Sequence, residues 1–290
     1  MSVLCLIANP AEPVIEPRLV QVIHHETGGE INWLNPGVAC EIVAPKAATP
    51  EQLAREAIGA AEIDVALVPL AHRRKKLLLA DMDSTMINEE CIDELADAVG
   101  LKAQVAEITD RAMRGELDFE GALRTRVALL KGLSRKAVEE VRRERITLAP
   151  GSRTLVQTMK AYGARSALVS GGFTIFAEHF ARRFGFDEFS ANLLEFDGDL
   201  LTGTVTEPIF GREGKVERLR ALTASMGILP AETLAVGDGA NDLGMIREAG
   251  LGVALHAKPA VAAEAAVRID HGDLTALLYL QGYSEEEFVR

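Results

Sequence analysis

Cysteine and positive charge are both scarce in this sequence of 290 residues. The chain has three cysteines and no Cys-x-x-Cys pair, which excludes a disulfide framework and a cysteine zinc site, so we expect reduced thiols in the core. It has 31 lysines and arginines against 43 aspartates and glutamates, for a formal net charge of −12. Because nucleic-acid backbones and anionic membranes are bound through clustered positive charge, this balance argues against both kinds of partner.

Long hydrophobic runs are also absent. No apolar stretch approaches the roughly 18 residues that a membrane span needs. The start, MSVLCLIANP, lacks the basic residues and the cleavage pattern of a signal peptide. Hydrophobic residues make up 48% and charged residues 26%, which is ordinary for a globular protein able to bury a core. We therefore expect a cytoplasmic protein, and the length favours about two domains.

Residues 1–72 predict a small α+β module. Short apolar runs and helical patterns follow one another in the order βαββαβ. This order resembles the ferredoxin-like ACT domain, a ligand-sensing module, although the glycine that such domains often carry after the first strand is absent from Asn9-Pro10-Ala11. Ligand sensing, a purely structural role and a homodimer interface are the three interpretations of this module.

Beyond residue 72 the pattern changes to longer α/β units. A basic run at 73–76 is interpreted as a solvated linker and strand entry. Continuous apolar runs, typical of parallel strands covered on both faces, then recur at 76–80, 165–169, 233–236 and 252–255. The segment 88–146 carries only helical patterns. We expect a core formed by 73–87 and 147–290, with 88–146 inserted as a helical cap over the strand ends.

Reactive polar residues follow three of these strands. They are Asp81-Met82-Asp83, Ser170-Gly171-Gly172 and Gly237-Asp238-Gly239-Ala240-Asn241-Asp242. The carboxyl ends of parallel strands meet at one edge of a sheet, so we expect these side chains to share one crevice. Carboxylates without histidine or cysteine favour Mg²⁺ over zinc. Each segment alone is ordinary turn chemistry, but their joint position predicts a magnesium-dependent phosphoryl-transfer site.

Together with Lys215, these segments match in order the four motifs of the haloacid dehalogenase superfamily, which the chain resembles from about residue 75 to 280. Residues 88–94, 119–131 and 169–173 further resemble the phosphoserine phosphatase family within it. The resemblance implies a doubly wound parallel sheet with a helical cap. It also implies hydrolysis of O-phospho-L-serine to L-serine and phosphate, the last step of serine biosynthesis. The alternative is a phosphatase or phosphotransferase acting on phosphohomoserine or another small phosphomonoester.

The resemblance implies roles for the motif residues. Asp81 would attack phosphorus and form an aspartyl-phosphate, while Asp83 would act as general acid and then general base. Mg²⁺ would be held by the carboxylates of Asp81 and Asp238 and by the backbone carbonyl of Asp83, with Asp242 in support. The phosphoryl group would be bound by Ser170, Gly171, Lys215 and Asn241. Outside the motif context, Lys215 is equally well an ordinary helix-face lysine.

Residues of the cap would select the substrate. By resemblance, Arg126 would pair with the substrate carboxylate, for which a planar guanidinium is suited, and Glu90 would bind the ammonium. Met113 and Phe119 would pack over the site. The alternatives are a salt bridge to a neighbouring acid for Arg126 and plain cap core for the two apolar residues.

Overall fold

The computed structural model describes residues 1–113 and 117–290, and its first part is a four-stranded antiparallel sheet with two helices. The elements, in chain order, are β1 (Ser2–Ala8), α1 (Pro17–Thr27), β2 (Glu30–Asn35), β3 (Ala39–Val43), α2 (Pro50–Ile58) and β4 (Ile63–Pro69). The strands lie in the order β2-β3-β1-β4. The predicted βαββαβ order is therefore present, whereas the likeness to an ACT domain stays a prediction.

Both faces of this amino-terminal sheet are buried. Along β1, Leu4 and Leu6 belong to an apolar cluster that includes the inward faces of α1 and α2. Val3, Cys5 and Ile7 point the other way and belong to the main core of the chain. Since side chains alternate between the two faces of a strand, β1 joins two separate cores, and its sheet is packed against the rest of the protein.

The next part of the chain is one short strand followed by helices. Strand β5 (Leu77–Ala80) precedes α3 (Cys91–Ala98), α4 (Lys102–Met113), α5 (Phe119–Leu129) and α6 (Arg135–Glu144). Two of these helices begin at polar caps, because the Asp118 carboxylate accepts the Gly121 N–H and the Ser134 hydroxyl accepts the Ala137 N–H. No strand interrupts the described part of this helical segment.

The remainder of the chain alternates strands and helices. Its elements are α7 (Ser152–Ala161), β6 (Arg165–Phe173), α8 (Thr174–Phe184), β7 (Glu188–Asn192), β8 (Leu194–Asp197), β9 (Leu200–Val205), α9 (Arg212–Met226), β10 (Thr233–Gly237), α10 (Leu243–Glu248), β11 (Leu251–Leu255), α11 (Pro259–Ala262), β12 (Val267–Ile269) and α12 (Ala276–Leu280). Short 3₁₀ turns occupy Pro230–Glu232 and Glu285–Glu287. Within the described residues, no helix is long and apolar enough to cross a bilayer.

Six of these strands form one sheet in the order β12-β11-β10-β5-β6-β7, and every neighbouring pair is parallel. Strand β5 lies between β10 and β6, so the order of the strands reverses on either side of it. Ligands of open α/β sheets bind at such a reversal, beyond the carboxyl ends of the strands. The predicted parallel α/β core is confirmed; the short strands β7 and β12 were not predicted.

Helices cover both faces of the parallel sheet. Leu78 and Ala80 of β5 belong to the main core, which includes residues of α7, α8 and α12. Leu77 and Leu79 belong to a second cluster with residues of α9. The completely apolar sequence of β5 follows from this arrangement, because neither face of the strand meets water.

Strands β8 and β9 form a separate antiparallel hairpin, joined by a two-residue turn at Gly198-Asp199. The hairpin lies against the helical segment: the Gly132 N–H donates to the Leu201 carbonyl at 2.8 Å, and the Arg135 N–H donates to the Asp199 carbonyl at 2.7 Å. The hairpin therefore ties the end of α5 and the start of α6 to the region after β7.

The basic run at 73–76 is only in part the solvated linker that its charge predicts, because Arg74 and Lys76 are exposed whereas Arg73 and Lys75 are not. The Arg73 side chain is 11% exposed, and it donates to the Glu41 carboxylate at 2.5 Å and to the Leu280 carbonyl at 2.9 Å. Lys75 is also buried, and its Nζ donates to the Ala231 carbonyl at 2.7 Å. These partners are distant in sequence, so no local charge pattern reveals them.

Candidate active site

Three neighbouring strands deliver polar side chains to one edge of the parallel sheet. Asp81 follows β5, Ser170 lies near the end of β6, and Asp238 follows β10. All three side chains are buried. The structure thus brings the three predicted motifs into one crevice, at the reversal of strand order.

Lys215, from the first turns of α9, lies at the bottom of this crevice and is fully buried. Its Nζ is 2.7 Å from Oδ1 of Asp81 and 2.7 Å from Oδ1 of Asp242. Burial alone would lower the pKa of this ammonium, but the two carboxylates outweigh burial and hold the pKa above its ordinary value. Lys215 is therefore a charged group at the site and not an ordinary helix-face lysine.

The position of Asp242 depends on glycines. Its second oxygen, Oδ2, accepts the Gly239 N–H at 3.0 Å. A Cβ on Gly237 would lie 2.3 Å from Cγ of Asp242, so the strand end has to be glycine for this carboxylate to fit.

Three buried carboxylates meet beside Lys215. Oxygen atoms of Asp81, Asp238 and Asp242 lie within 4.8 Å of one another. Burial, with repulsion from Asp242, raises the pKa of Asp81 well above its ordinary value and that of Asp238 to about 7. One ammonium for three carboxylates leaves a surplus of negative charge. The donors are all oxygens, so the group fits Mg²⁺.

The Asp83 carboxylate has other partners. Its Oδ1 accepts the Cys91 N–H at 2.8 Å, and its Oδ2 accepts the Ser170 hydroxyl at 3.0 Å. Burial, with a contribution from Glu90, raises its pKa to about 6. Metal binding by the backbone carbonyl of Asp83 stays a prediction. Cys91 is a buried core residue, as predicted, and its backbone also positions Asp83.

The Ser170-Gly171-Gly172 segment is extended strand, where the sequence predicted a turn. The Ser170 hydroxyl accepts the Gly172 N–H at 2.9 Å. The Gly171 carbonyl accepts from Asn192 Nδ2 at 2.9 Å, and the same amide group bonds both the N–H and the carbonyl of Phe210. Asn192 was not predicted. It ends the unpredicted strand β7, and no motif marks it.

A cavity of about 420 Å³ opens above these residues. Phe119, the first residue of α5, covers part of it: Cβ atoms added to Gly171 and Gly211 would each lie 3.0 Å from the phenyl ring. The helical segment therefore contacts the parallel core through an aromatic ring laid on two glycines. Met113 ends α4, and its side chain lies outside the described residues.

Two opposite charges from the helical segment line the same cavity. Arg126 of α5 is partly buried, and burial lowers its pKa while Glu90 and Asp93 act in the opposite direction. Glu90 accepts the Ser84 hydroxyl at 2.9 Å. Ser84 has a φ of 54°, a left-handed conformation rare for serine, in the tight turn after β5. The cavity thus presents both a cation and an anion in addition to the carboxylates of the strand ends.

The cavity also brings in residues that the motifs do not mark. Asn241 lines it, as predicted, but so do Arg212, Lys258 and Thr109. Arg212 lies three positions before Lys215, in a segment whose alternating charges are ordinary for an exposed helix. Nothing in the sequence around Lys258 distinguishes it from a solvated lysine.

A family model described as haloacid dehalogenase-like hydrolase matches residues 78–247. The chain belongs to this family. The matched region spans the three strand ends and Lys215, and it includes the described helical segment. The predicted resemblance to the superfamily is therefore confirmed.

Relatives of this hydrolase are similar over most of its length. A phosphoserine phosphatase of Polaromonas sp. is 48% identical over 223 residues, which is 75% of this chain and 94% of that protein. The crystal structure of a HAD family hydrolase, t0658 of Salmonella enterica serovar Typhi, is 30% identical with a TM-score of 0.85 and covers 99% of this chain and 100% of its own. A structure titled as the phospho-aspartyl intermediate analogue of phosphoserine phosphatase is 40% identical, has a TM-score of 0.66, and covers 71% of this chain and 98% of its own.

Proposed function

We propose that this hydrolase converts O-phospho-L-serine and water to L-serine and phosphate, the last step of serine biosynthesis. The relatives named phosphoserine phosphatase support the substrate. The observation that carries the proposal is the cavity itself. Residues of the strand ends, including Gly171 and Asn241, line it together with Arg126 and Glu90. We assign the phosphate to the strand ends, the substrate carboxylate to Arg126 and the ammonium to Glu90, so a substrate with all three charged groups would use both sets of residues.

Asp81 is the proposed nucleophile. Its Oδ1 is held by the Lys215 ammonium and by the Met82 N–H at 2.7 Å each. Oδ2 makes no hydrogen bond to any described residue, so it is the oxygen free to attack phosphorus. Attack forms an aspartyl-phosphate and releases serine, which divides one hard hydrolysis into two displacements.

Asp83 is the proposed general acid and base. It would give a proton to the serine oxygen as that oxygen leaves, and later take one from the attacking water. Its two hydrogen bonds, from the Cys91 N–H and the Ser170 hydroxyl, fix the orientation of the carboxyl group. Proton transfer by a positioned group contributes about 10²- to 10⁴-fold in rate.

Binding of the phosphoryl group is assigned to Ser170, Gly171, Asn241 and Lys215. Gly171 and Asn241 line the cavity, whereas Ser170 and Lys215 lie beside it in contact with Asp83 and Asp81. Mg²⁺ would be held by Asp81 and Asp238, with Asp242 in support, and it would supply positive charge to the phosphoryl oxygens. Lys215 keeps two of these carboxylates apart and offsets part of their charge. Removing Mg²⁺ with EDTA is expected to abolish turnover.

The test is phosphate release from O-phospho-L-serine, compared with phosphohomoserine and glycerol phosphate, with and without Mg²⁺. We expect kcat/KM for O-phospho-L-serine to exceed that for glycerol phosphate by about 10² or more, because glycerol phosphate leaves both Arg126 and Glu90 without a partner. The preference over phosphohomoserine should be about tenfold or more, because its extra methylene moves the carboxylate and the ammonium relative to the phosphate. The variant Arg126→Lys should lose most of this preference and keep turnover of glycerol phosphate. Equal kcat/KM for all three substrates would reject phosphoserine as the substrate and leave a general phosphomonoesterase.

A further inference from the structure

Two cations at the mouth of the cavity have no role in the mechanism above. Arg212, at the start of α9, and Lys258, just before α11, both line the cavity and both are exposed to solvent. Neither forms an ion pair with any described residue. Their charges are therefore available to a ligand.

Both residues are held close to the strand ends. Arg212 lies along α10: its Cγ and Nε are each 3.7 Å from the position that a Cβ on Gly244 would take. Lys258 is fixed through its backbone, because its N–H donates to the Asp238 carbonyl at 3.2 Å. The two cations thus come from different segments of the chain and line the same cavity.

The residues that line the cavity include more acids than bases. The acids are Asp81, Asp83, Glu90 and Asp238, and the bases are Arg126, Arg212 and Lys258. Arg212 and Lys258 therefore offset part of a negative charge that would oppose the entry of an anion.

An incoming phosphomonoester meets a chain with a net charge of −12 and a cavity lined by four acids. Lys215 is already engaged by two carboxylates, and the charge of Arg126 is opposed by Glu90 and Asp93. We propose that Arg212 and Lys258 attract the anionic substrate electrostatically at the entrance of the cavity and so guide its phosphate toward the strand ends. This inference rests on the proposed phosphatase function, and it deepens that function by identifying capture residues outside the motifs.

Electrostatic attraction of the substrate by these two residues predicts a dependence of kcat/KM on salt that a direct role in catalysis does not. The variants Arg212→Gln and Lys258→Gln should each lower kcat/KM about three- to tenfold at low ionic strength, with the loss in KM and not in kcat. The deficit should shrink as salt is added, because the screening length falls from about 10 Å at 0.1 M to about 3 Å at 1 M. Lys258→Glu should give a larger loss than Lys258→Gln, and Lys258→Arg should restore most of the activity.

The experiment measures kcat and KM from 0.02 to 0.5 M NaCl at saturating Mg²⁺. Matched controls are Arg153→Gln on α7 and Lys136→Gln on α6, which remove the same charges from exposed positions that do not line the cavity. The controls should change kcat/KM by less than about twofold at every salt concentration. A deficit that is independent of salt, or one located in kcat, would overturn the proposal.

A second substrate separates this inference from the assignment of phosphoserine. p-Nitrophenyl phosphate carries the phosphate dianion without a carboxylate or an ammonium. If Arg212 and Lys258 attract the phosphate, both variants should show the same salt-dependent loss of kcat/KM with p-nitrophenyl phosphate, whether or not the enzyme prefers O-phospho-L-serine. A deficit confined to O-phospho-L-serine would indicate a direct contact with the serine part and would overturn capture of the phosphate.

Discussion

Two regions of this hydrolase bury carboxylates, and the negative charge is compensated differently in each region. Where the amino-terminal sheet meets the core, the Glu41 carboxylate accepts from Arg73 at 2.5 Å and from Asn32 at 2.9 Å. The nearby Asp64 carboxylate accepts backbone N–H groups from the loop 270–272. Each buried acid in this junction has its own set of protein donors.

The strand ends of the parallel sheet are arranged differently. Asp81, Asp238 and Asp242 share the one ammonium of Lys215, and burial raises the pKa of both Asp81 and Asp238. Removing the partner of a fully partnered acid destabilises a junction, whereas a cluster with surplus charge is a candidate site for a ligand. The comparison teaches that burial of an acid does not identify a site; the shortage of partners does.

The strongest test of this difference is Asp81→Asn. We expect kcat to fall by about 10⁴-fold or more, because the amide cannot attack phosphorus. The melting temperature in EDTA should stay the same or rise, since the change removes one of three mutually repelling carboxylates. Calorimetry and initial rates on the same preparation would show both effects. Full activity in this variant would contradict the assignment of the nucleophile, and a large loss of stability would contradict the contrast with the junction.

At the junction, we expect the variant Glu41→Ala to lose stability and keep its activity, which is the opposite of the result expected for Asp81→Asn. Removing one partner of a buried ion pair leaves the Arg73 guanidinium unpaired and should lower the free energy of unfolding by about 3–5 kcal/mol, measured by urea denaturation. The kcat of the folded enzyme should be unchanged. The double variant Glu41→Ala with Arg73→Met is the control, and it should recover part of the stability because no unpaired charge remains. A single variant as stable as the wild type would show that the ion pair is dispensable.

A smaller effect is expected for Asp64→Asn, which keeps the shape of the side chain and removes its charge. The amide has one acceptor oxygen in place of two, so part of the hydrogen bonding to the N–H groups of Asp270 and Gly272 is lost, at about 1–3 kcal/mol. Faster hydrogen exchange at residues 270–272, with kcat unchanged, is the expected measurement. Exchange that speeds up equally throughout the parallel sheet would instead indicate global destabilisation.

The main architecture could be predicted from the sequence because its signals are local. The apolar run of β5 followed directly by Asp81 and Asp83 marks a buried strand that ends in a polar crevice, and the same reasoning holds for β10. The order of the amino-terminal elements could also be predicted. The short strands β7 and β12 could not, because their sequences, EFSAN and VRI, are not continuous apolar runs like that of β5.

Contacts between distant residues could not be predicted. Asn192 bonds to Gly171 and Phe210, which are 21 and 18 positions away, and nothing in its own segment indicates this. Arg212 and Lys258 are of residue types that usually lie on a solvated surface, and only the fold places them at the cavity. Arg73 and Lys75 are the clearest case, since the charge of the run 73–76 predicts exposure, while partners on α12 and before β10 bury these two side chains.

Lys75 provides the finest test, because it is a basic residue of the junction that lacks the ion pair of Arg73. Burial lowers its pKa to about 8 from the ordinary value of 10.5, with Glu232 acting in the opposite direction. Below pH 8 the folded and unfolded states both hold the proton, and the cost of the buried charge is complete. Between about pH 8 and 10.5 the folded state releases its proton first, so this cost disappears as pH rises.

The variant Lys75→Met never carries this charge. Its free energy of unfolding relative to the wild type should therefore fall from pH 7.5 to pH 10.5, by about 1.4 kcal/mol for each unit by which burial lowers the pKa of Lys75, whereas the lost hydrogen bond to the Ala231 carbonyl adds only a constant offset. Lys76→Met is the matched control: its side chain is 58% exposed, and its difference from the wild type should vary little over the same range. A flat difference for Lys75→Met would mean that the Lys75 ammonium is solvated, and every buried charge of the junction would then have a partner of opposite sign or water.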